Sequence, residues 1–148
     1  MRILALDIGE RRIGVAVSDP SGTLAASVSV IERRSRREDF AAVAELVRRY
    51  GAEKVVVGHP RSMDGTIGPQ ARRVERYAAA LAKALDVPVV LWDERLSTVS
   101  AERLMREAGL GDEERRERVD AVAAAVILQD YLDAQQDAPQ DAQQDAQQ

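Results

Sequence analysis

The sequence predicts an α/β fold, a mixed five-stranded sheet with helices on its faces. Three observations point there. Residues 3–31 contain three apolar or β-branched runs separated by turn residues. From residue 37 onward the apolar period alternates between helical and strand-like. The chain has 148 residues, 45% of them apolar, which suits one domain around one hydrophobic core.

The elements follow in order. Ile3-Leu4-Ala5-Leu6 is a short apolar run of the kind buried on both faces of a sheet. Gly9-Glu10-Arg11-Arg12 reverses the chain into a second strand, Ile13-Gly14-Val15-Ala16-Val17-Ser18. Asp19-Pro20-Ser21-Gly22 has the residues a type I turn prefers, and a third strand spans residues 24–31. Three strands joined by tight turns make an antiparallel meander. In residues 37–50, Phe40, Val43, Ala44 and Val47 recur at helical spacing, and Gly51 closes that helix. Residues 54–58 form a β-branched strand, residues 59–69 a Gly- and Pro-rich loop, and residues 70–85 a second helix. Residues 87–92 are the fifth strand. Ser97 or Thr98 caps a further helix reaching Ala108, and a last, largely apolar helix covers residues 119–132. Right-handed crossovers then complete a mixed sheet.

Past Leu132 the chain repeats Asp-Ala-Gln-Gln. Such a segment has too little apolar surface to offset its ordering entropy. The expected organisation is a folded domain over residues 1–132 and a disordered tail over 133–148.

Composition narrows the function. No apolar run approaches the roughly 20 residues needed to span a bilayer, and Asp7 arrives too early for a secretory signal. The absence of cysteine excludes disulfides, zinc–thiolate sites and cysteine nucleophiles. The expected address is cytoplasmic. The net charge of −4 comes from the four aspartates at 133, 137, 141 and 145, since the remaining acids and bases balance. Nineteen of the 21 bases are arginine, many in pairs such as Arg11-Arg12, Arg33-Arg34, Arg36-Arg37 and Arg72-Arg73. Arginine pairs suit bidentate phosphate contacts, although solvated helix faces also need charge.

Three acids stand where folding alone would not put them. Asp7 ends the first strand, Glu94 follows the fifth, and Asp120 is the only ionisable group among residues 119–128. A lone carboxylate in an apolar helix is costly unless a cation or hydrogen bonds compensate it. Hard oxygen ligands without His or Cys favour Mg²⁺ or Mn²⁺, and two such ions could activate a water against a phosphodiester. Each acid also has a plainer reading. Asp7 could close the turn at Gly9, Asp120 could cap the last helix, and Glu94 could pair with Arg95. Asp93 is an equally good ligand by chemistry.

These residues resemble the YqgF (RuvX) family. The blocks are Leu4-Ala5-Leu6-Asp7-Ile8-Gly9, Arg12-Ile13-Gly14-Val15-Ala16-Val17-Ser18-Asp19, Val57-Gly58-His59-Pro60 with Met63-Asp64-Gly65-Thr66, Asp93-Glu94-Arg95-Leu96-Ser97-Thr98, and the stretch from Val119-Asp120 to Ile127-Leu128. The resemblance covers residues 2–132. It implies an RNase H-like fold related to the RuvC Holliday-junction resolvases. It also implies a nuclease that trims the 5′ end of precursor small-subunit ribosomal RNA or resolves junctions, with Asp7, Glu94 and Asp120 as the acidic, metal-holding triad. The sequence departs from the family at His59 (Leu is usual), Ser62 (Asn is usual) and Arg118 (Lys is frequent). These positions bear on substrate more than on chemistry.

Arg11, Arg12, Arg61 and Arg95 are the expected phosphate contacts on the triad's side. Asp64-Gly65 is either turn chemistry or a glycine loop that grips a backbone phosphate. His59, the only histidine, is either a hydrogen-bonded loop residue or a proton donor to a leaving group. Nucleic acid is the expected partner and a membrane is not. Cleaving both strands of a junction would call for a homodimer. Two other classes compete: a lobe of an actin-like or sugar-kinase ATPase, suggested by Asp7-Ile8-Gly9, and a non-catalytic nucleic-acid-binding module.

Overall fold

The computed structural model describes residues 1–62, 64–93 and 112–137, with side chains described at 122–135 of the last segment. Its elements are β1 (Arg2–Ile8), β2 (Arg12–Ser18), β3 (Ala25–Glu32), α1 (Arg36–Tyr50), β4 (Ala52–His59), α2 (Pro69–Ala84), β5 (Val89–Asp93) and α3 (Asp112–Asp137). The five strands form one sheet in the order β3-β2-β1-β4-β5. β1, β2 and β3 pair antiparallel, whereas β4 and β5 run parallel to β1. The expected meander and mixed sheet are both present, and β1 is the central strand. The expected helix between residues 97 and 108 lies outside the described residues.

The turns form for the reasons the sequence gives. Gly22 adopts φ 74° and donates its N–H to the Asp19 carbonyl, closing the β2–β3 turn. The Asp19 carboxylate accepts from Ser21 Oγ and from the Thr23 and Leu24 N–H groups. Those bonds, the Ser21 hydroxyl foremost, lower its pKa to about 2. Ser35 caps α1 by accepting from Glu38 N–H, and Gly51 ends it in the left-handed region at φ 63°.

Strand alternation sorts the core into two layers. Leu4, Leu6 and Ile8 of β1 and Val55 and Val57 of β4 face α1 and α2, where Val43, Leu46, Val74 and Leu81 are buried. Ile3, Ala5, Ala16 and Val56 face α3, against Ala124, Ile127 and Leu128. Each fully buried aliphatic side chain contributes about 1.5–3 kcal/mol. Alanines on the second face let α3 lie close to the sheet. α3 also runs longer than expected, beginning at Asp112 and continuing to Asp137. Gln129 anchors it to the β2–β3 turn by accepting from Ala25 N–H and donating to the Thr23 carbonyl. Among the described residues, no helix is long and apolar enough to cross a membrane.

Candidate active site

β1, β4 and β5 are parallel, so their carboxyl ends emerge at one edge of the sheet. That edge is where open α/β sheets place their ligands. Asp7 stands there, half-buried, on the central strand. Its side chain alternates with Leu6 and Ile8 and so lies on the α3 face, with Ile3 and Ala5. Its partner on β2 is Gly14. On β4, Leu6 pairs with Val57, which brings Gly58 alongside Asp7, and Gly58 in turn pairs with Trp92. Glycine stands directly opposite Asp7 on both neighbouring strands, which leaves the sheet surface open on either side of that position. Backbone or ligand can approach closely at such a place. Neither glycine stands out in sequence as a site residue, because its role comes from register across three strands.

The plainer reading of Asp7 as a turn-closing group is not needed for the turn. The Gly9 N–H donates to the Arg12 carbonyl at 2.8 Å, and the reversal closes through backbone. For Asp120 the capping reading fails, since α3 begins at Asp112 and position 120 lies in its interior. The Asp120 side chain, Glu94 and Arg95 lie outside the described residues. Among the described residues, no three His, Cys, Asp or Glu side chains gather as a metal-binding set.

The direction of α3 bears on the same edge. Tyr131 accepts a hydrogen bond from Lys54 Nζ at 2.9 Å, and Lys54 pairs with Ile3 in the sheet. Tyr131, Leu132 and Gln135 line a cleft with Met1 and Ile3. The carboxyl half of α3 therefore sits at the start of β1, and the helix runs antiparallel to that strand.

His59 is sorted to the opposite face. It follows Val57 in the alternation, is 1% exposed, and its Nε2 lies 3.0 Å from Glu75 Oε1 on α2. That contact is close in distance but lacks hydrogen-bond geometry. Arg61 Nε donates to His59 Nδ1 at 3.0 Å, so the imidazole proton sits on Nε2, toward Glu75. Of the two readings of His59, the structure has the hydrogen-bonded loop residue, held by Arg61 and packed against α2 on the face away from Asp7. Its face follows from pairing, which a continuous apolar run such as Lys54-Val55-Val56-Val57 does not reveal. By the same alternation Asp93 follows Leu91 while Val90 and Trp92 face α3, so the residue preceding Glu94 is set on the His59 side.

The loop from β4 to α2 is internally bonded. Asp64 Oδ1 accepts from Thr66 N–H and Oγ1, Gly65 takes φ 87°, and its N–H donates to Ser62 O. Those bonds favour turn chemistry for the Asp64-Gly65 pair. Arg11 is exposed and Arg12 half-buried in the β1–β2 reversal, and Arg61 is exposed at the head of the β4–α2 loop. All three thus stand at the carboxyl edge with Asp7.

One buried acid had no signal in the sequence. Asp39 is 3% exposed and accepts from Tyr77 Oη at 3.1 Å and from Arg34 N–H at 3.0 Å. Arg33 approaches the same carboxylate at 3.9 Å, stacks over the Tyr77 ring, and donates from Nη1 to the Gly9 carbonyl at 2.7 Å. This chain of contacts ties α1 and α2 to the reversal that follows Asp7. Burial, reinforced by the Asp39 carboxylate, pushes the Tyr77 hydroxyl well above its ordinary pKa.

Known proteins are similar to this chain in sequence and in fold. A protein of Moorella thermoacetica is 51% identical over 133 residues, covering 90% of this chain and 95% of its own length. One from Symbiobacterium thermophilum is 50% identical over 135 residues, covering 91% and 94%. Both bear the provisional name of pre-16S rRNA nuclease. Among solved structures, Thermus thermophilus RuvC in complex with a Holliday junction substrate superposes with TM-score 0.58 at 19% identity, covering 93% of this chain and 97% of that one. The Fowlpox virus resolvase with its junction DNA gives 0.53 at 10% identity, covering 91% and 99%. At those identities the likeness shows the fold, which is RNase H-like. Residues 1–134 match the family model described as RuvX, Holliday junction resolvase, and the chain belongs to the RuvX family.

Proposed function

We propose that the chain is a divalent-metal-dependent nuclease whose Asp7, Glu94 and Asp120 hold Mg²⁺ or Mn²⁺ and whose substrate is the 5′ end of precursor 16S ribosomal RNA. The observation that carries this reading is Asp7 at the carboxyl end of the central strand, on the α3 face, flanked by Gly14 and Gly58. The run of α3 supports the pairing with Asp120. From Tyr131 back to position 120 is about 16 Å of helix. From Ile3 to Asp7 is about 13 Å of strand, so the antiparallel helix returns position 120 toward the same edge. Glu94 directly follows Asp93, the last residue of β5, which shares that edge. An all-carboxylate donor set suits hard divalent cations.

When bound, the ion supplies charge that activates water and stabilises the leaving oxygen. The chain's own part is to hold the carboxylates in register and to orient the strand. Arg11, Arg12, Arg61 and Arg95 neutralise phosphates around the scissile bond, and the Asp64-Gly65 turn shapes the loop that flanks it. The work is cytoplasmic, on nucleic acid. The folded body spans residues 1–132 with α3 extending a little beyond, and the Gln- and Asp-rich tail takes no part.

The family description supplies a second substrate, a four-way DNA junction, for which two copies of the chain would act together. The test is cleavage by purified protein, with Mg²⁺ and with Mn²⁺, of an RNA carrying the 5′ extension of 16S rRNA and of a synthetic four-way junction. Metal-dependent cutting of the RNA supports the proposal. Cutting of the junction alone transfers it to the second substrate, and cutting of neither with either metal overturns it.

A further inference from the structure

A cleft of about 250 Å³ opens on the other flank of the same sheet end, between α1, α2 and the β1–β2 reversal. Arg33, Arg36, Arg73 and Arg76 line it together with Tyr77 and Gly9. A second depression at the start of α2 shares Arg73 and Arg76 and adds Arg72. The basic track therefore extends beyond the reach of one phosphate group.

The charges in the cleft are poorly neutralised. Arg33 is committed to Asp39 and to the Gly9 carbonyl. Arg36 stacks over the Tyr77 ring at 5.8 Å, which orients its guanidinium without cancelling its charge. Among the described residues, Arg36, Arg72, Arg73 and Arg76 have no ion pair. Glu10 is the one carboxylate in the cleft lining. Arg72, Arg73 and Arg76 fall within two turns of a helix whose first turn holds no acid. Like charges packed this way repel one another unless an anion enters.

We propose that this cleft is a second phosphate-binding site, which grips the sugar–phosphate backbone of the substrate strand on the α1/α2 flank, apart from the carboxylates on the α3 face. Ile8 and Gly9 of the lining directly follow Asp7 but belong to the opposite side of the sheet. One layer of structure, about 10 Å, separates such flanks. At roughly 3.4 Å per nucleotide, the gripped phosphates lie about three nucleotides from the scissile bond. The site would fix the register of the strand and read no bases. It rests on the nucleic-acid reading above but not on cleavage.

The test compares the full chain with the double variant Arg73→Gln/Arg76→Gln and a charge-matched control, Arg48→Gln/Arg49→Gln, at the far end of α1. The probe is a fluorescein-labelled 20-nucleotide single-stranded RNA, with binding measured by anisotropy across a salt series. Because Arg73 and Arg76 are exposed, the melting temperature should not move. The proposal predicts roughly tenfold weaker binding for the first variant and a salt slope flattened by about 1.4, from two contacts at about 0.7 each. The control should change neither. Equal losses in both variants would show a net-charge effect and overturn the proposal, as would unchanged binding in the first variant or no binding by the parent chain. Inorganic phosphate is titrated separately by calorimetry. If it binds the parent chain as tightly as the RNA does, the cleft is a free-anion site and the proposal fails. Loss of RNA binding by the first variant in a protein that cuts nothing would uphold the cleft and refute the nuclease.

Discussion

The two faces of the sheet end differently at the edge where β1, β4 and β5 emerge. On the α3 face Asp7 stands between Gly14 and Gly58, with Trp92 of β5 beyond Gly58. On the α1/α2 face the same edge is built up and basic. His59 is locked between Arg61 and Glu75, Asp39 ties Tyr77 to Arg33, and an arginine-lined cleft opens beside them. Because side chains alternate along a strand, one residue of register decides which of these environments an acid enters. Asp7 and Asp93 are both strand-end aspartates, yet the pairing sets them on opposite faces. The helices repeat the contrast. α1 begins with a Ser35 cap and acids at 38 and 39, as stability alone would favour, whereas α2 begins with Gly68, Pro69 and no acid. One start serves the fold, and the other leaves positive charge available to a ligand.

Substitutions can sharpen this contrast. The largest effect on stability is expected at Ile127, fully buried between α3 and the sheet. Ile127→Ala should cost about 2–5 kcal/mol in chemical denaturation, because the cavity it leaves faces β-sheet and cannot collapse. A cost below about 1 kcal/mol would mean that α3 is not firmly seated on the Asp7 face.

Next comes Asp39→Ala on the opposite face. It strands the Tyr77 hydroxyl and the Arg34 N–H in a buried setting, for about 1–3 kcal/mol. The same network gives a pH dependence. The Tyr77 pKa is raised in the folded state above its unfolded value near 10, so its contribution is complete below that pH and is lost as pH climbs beyond it. Unfolding profiles above pH 10 should therefore fall less steeply in Tyr77→Phe. An identical slope would remove Tyr77 as the cause.

Asp19 should give the smallest effect. It is half-buried in a surface turn, and its depressed pKa makes a contribution that is present above about pH 4 and is lost as pH falls toward 2. Asp19→Asn should reduce the loss of stability across that acid window and leave neutral-pH cleavage unchanged. A variant with the parent's acid profile would show that the turn holds without the charge.

The sequence displayed much of this fold because its local signals were unopposed. Gly51 after a periodic helix and Asp19-Pro20-Ser21-Gly22 between strands each had one physical reading, and the structure has the matching element. Asp39 was hidden because its burial depends on Tyr77, 38 residues away, and one acid beside Glu38 looks like ordinary first-turn charge. The early start of α3 was hidden because residues 112–118 are all charged and show no apolar stripe. His59 and the glycines beside Asp7 were hidden for a topological reason. β1 and β4 are buried on both faces, so their runs are continuous and do not show which side a residue takes.

If chemistry belongs to the α3 face of the strand ends, one side-by-side measurement shows it. Asp7→Asn and Asp93→Asn each remove one strand-end charge while keeping shape, from opposite faces. Both are assayed under single-turnover conditions with Mg²⁺ and Mn²⁺, on whichever substrate the parent protein cuts. Asp7→Asn should fall to background with either metal and keep its fold, while Asp93→Asn should stay within a few-fold of the parent. An Asp7→Asn protein that cuts at the parental rate, or an Asp93→Asn protein that is the inactive one, would contradict that assignment.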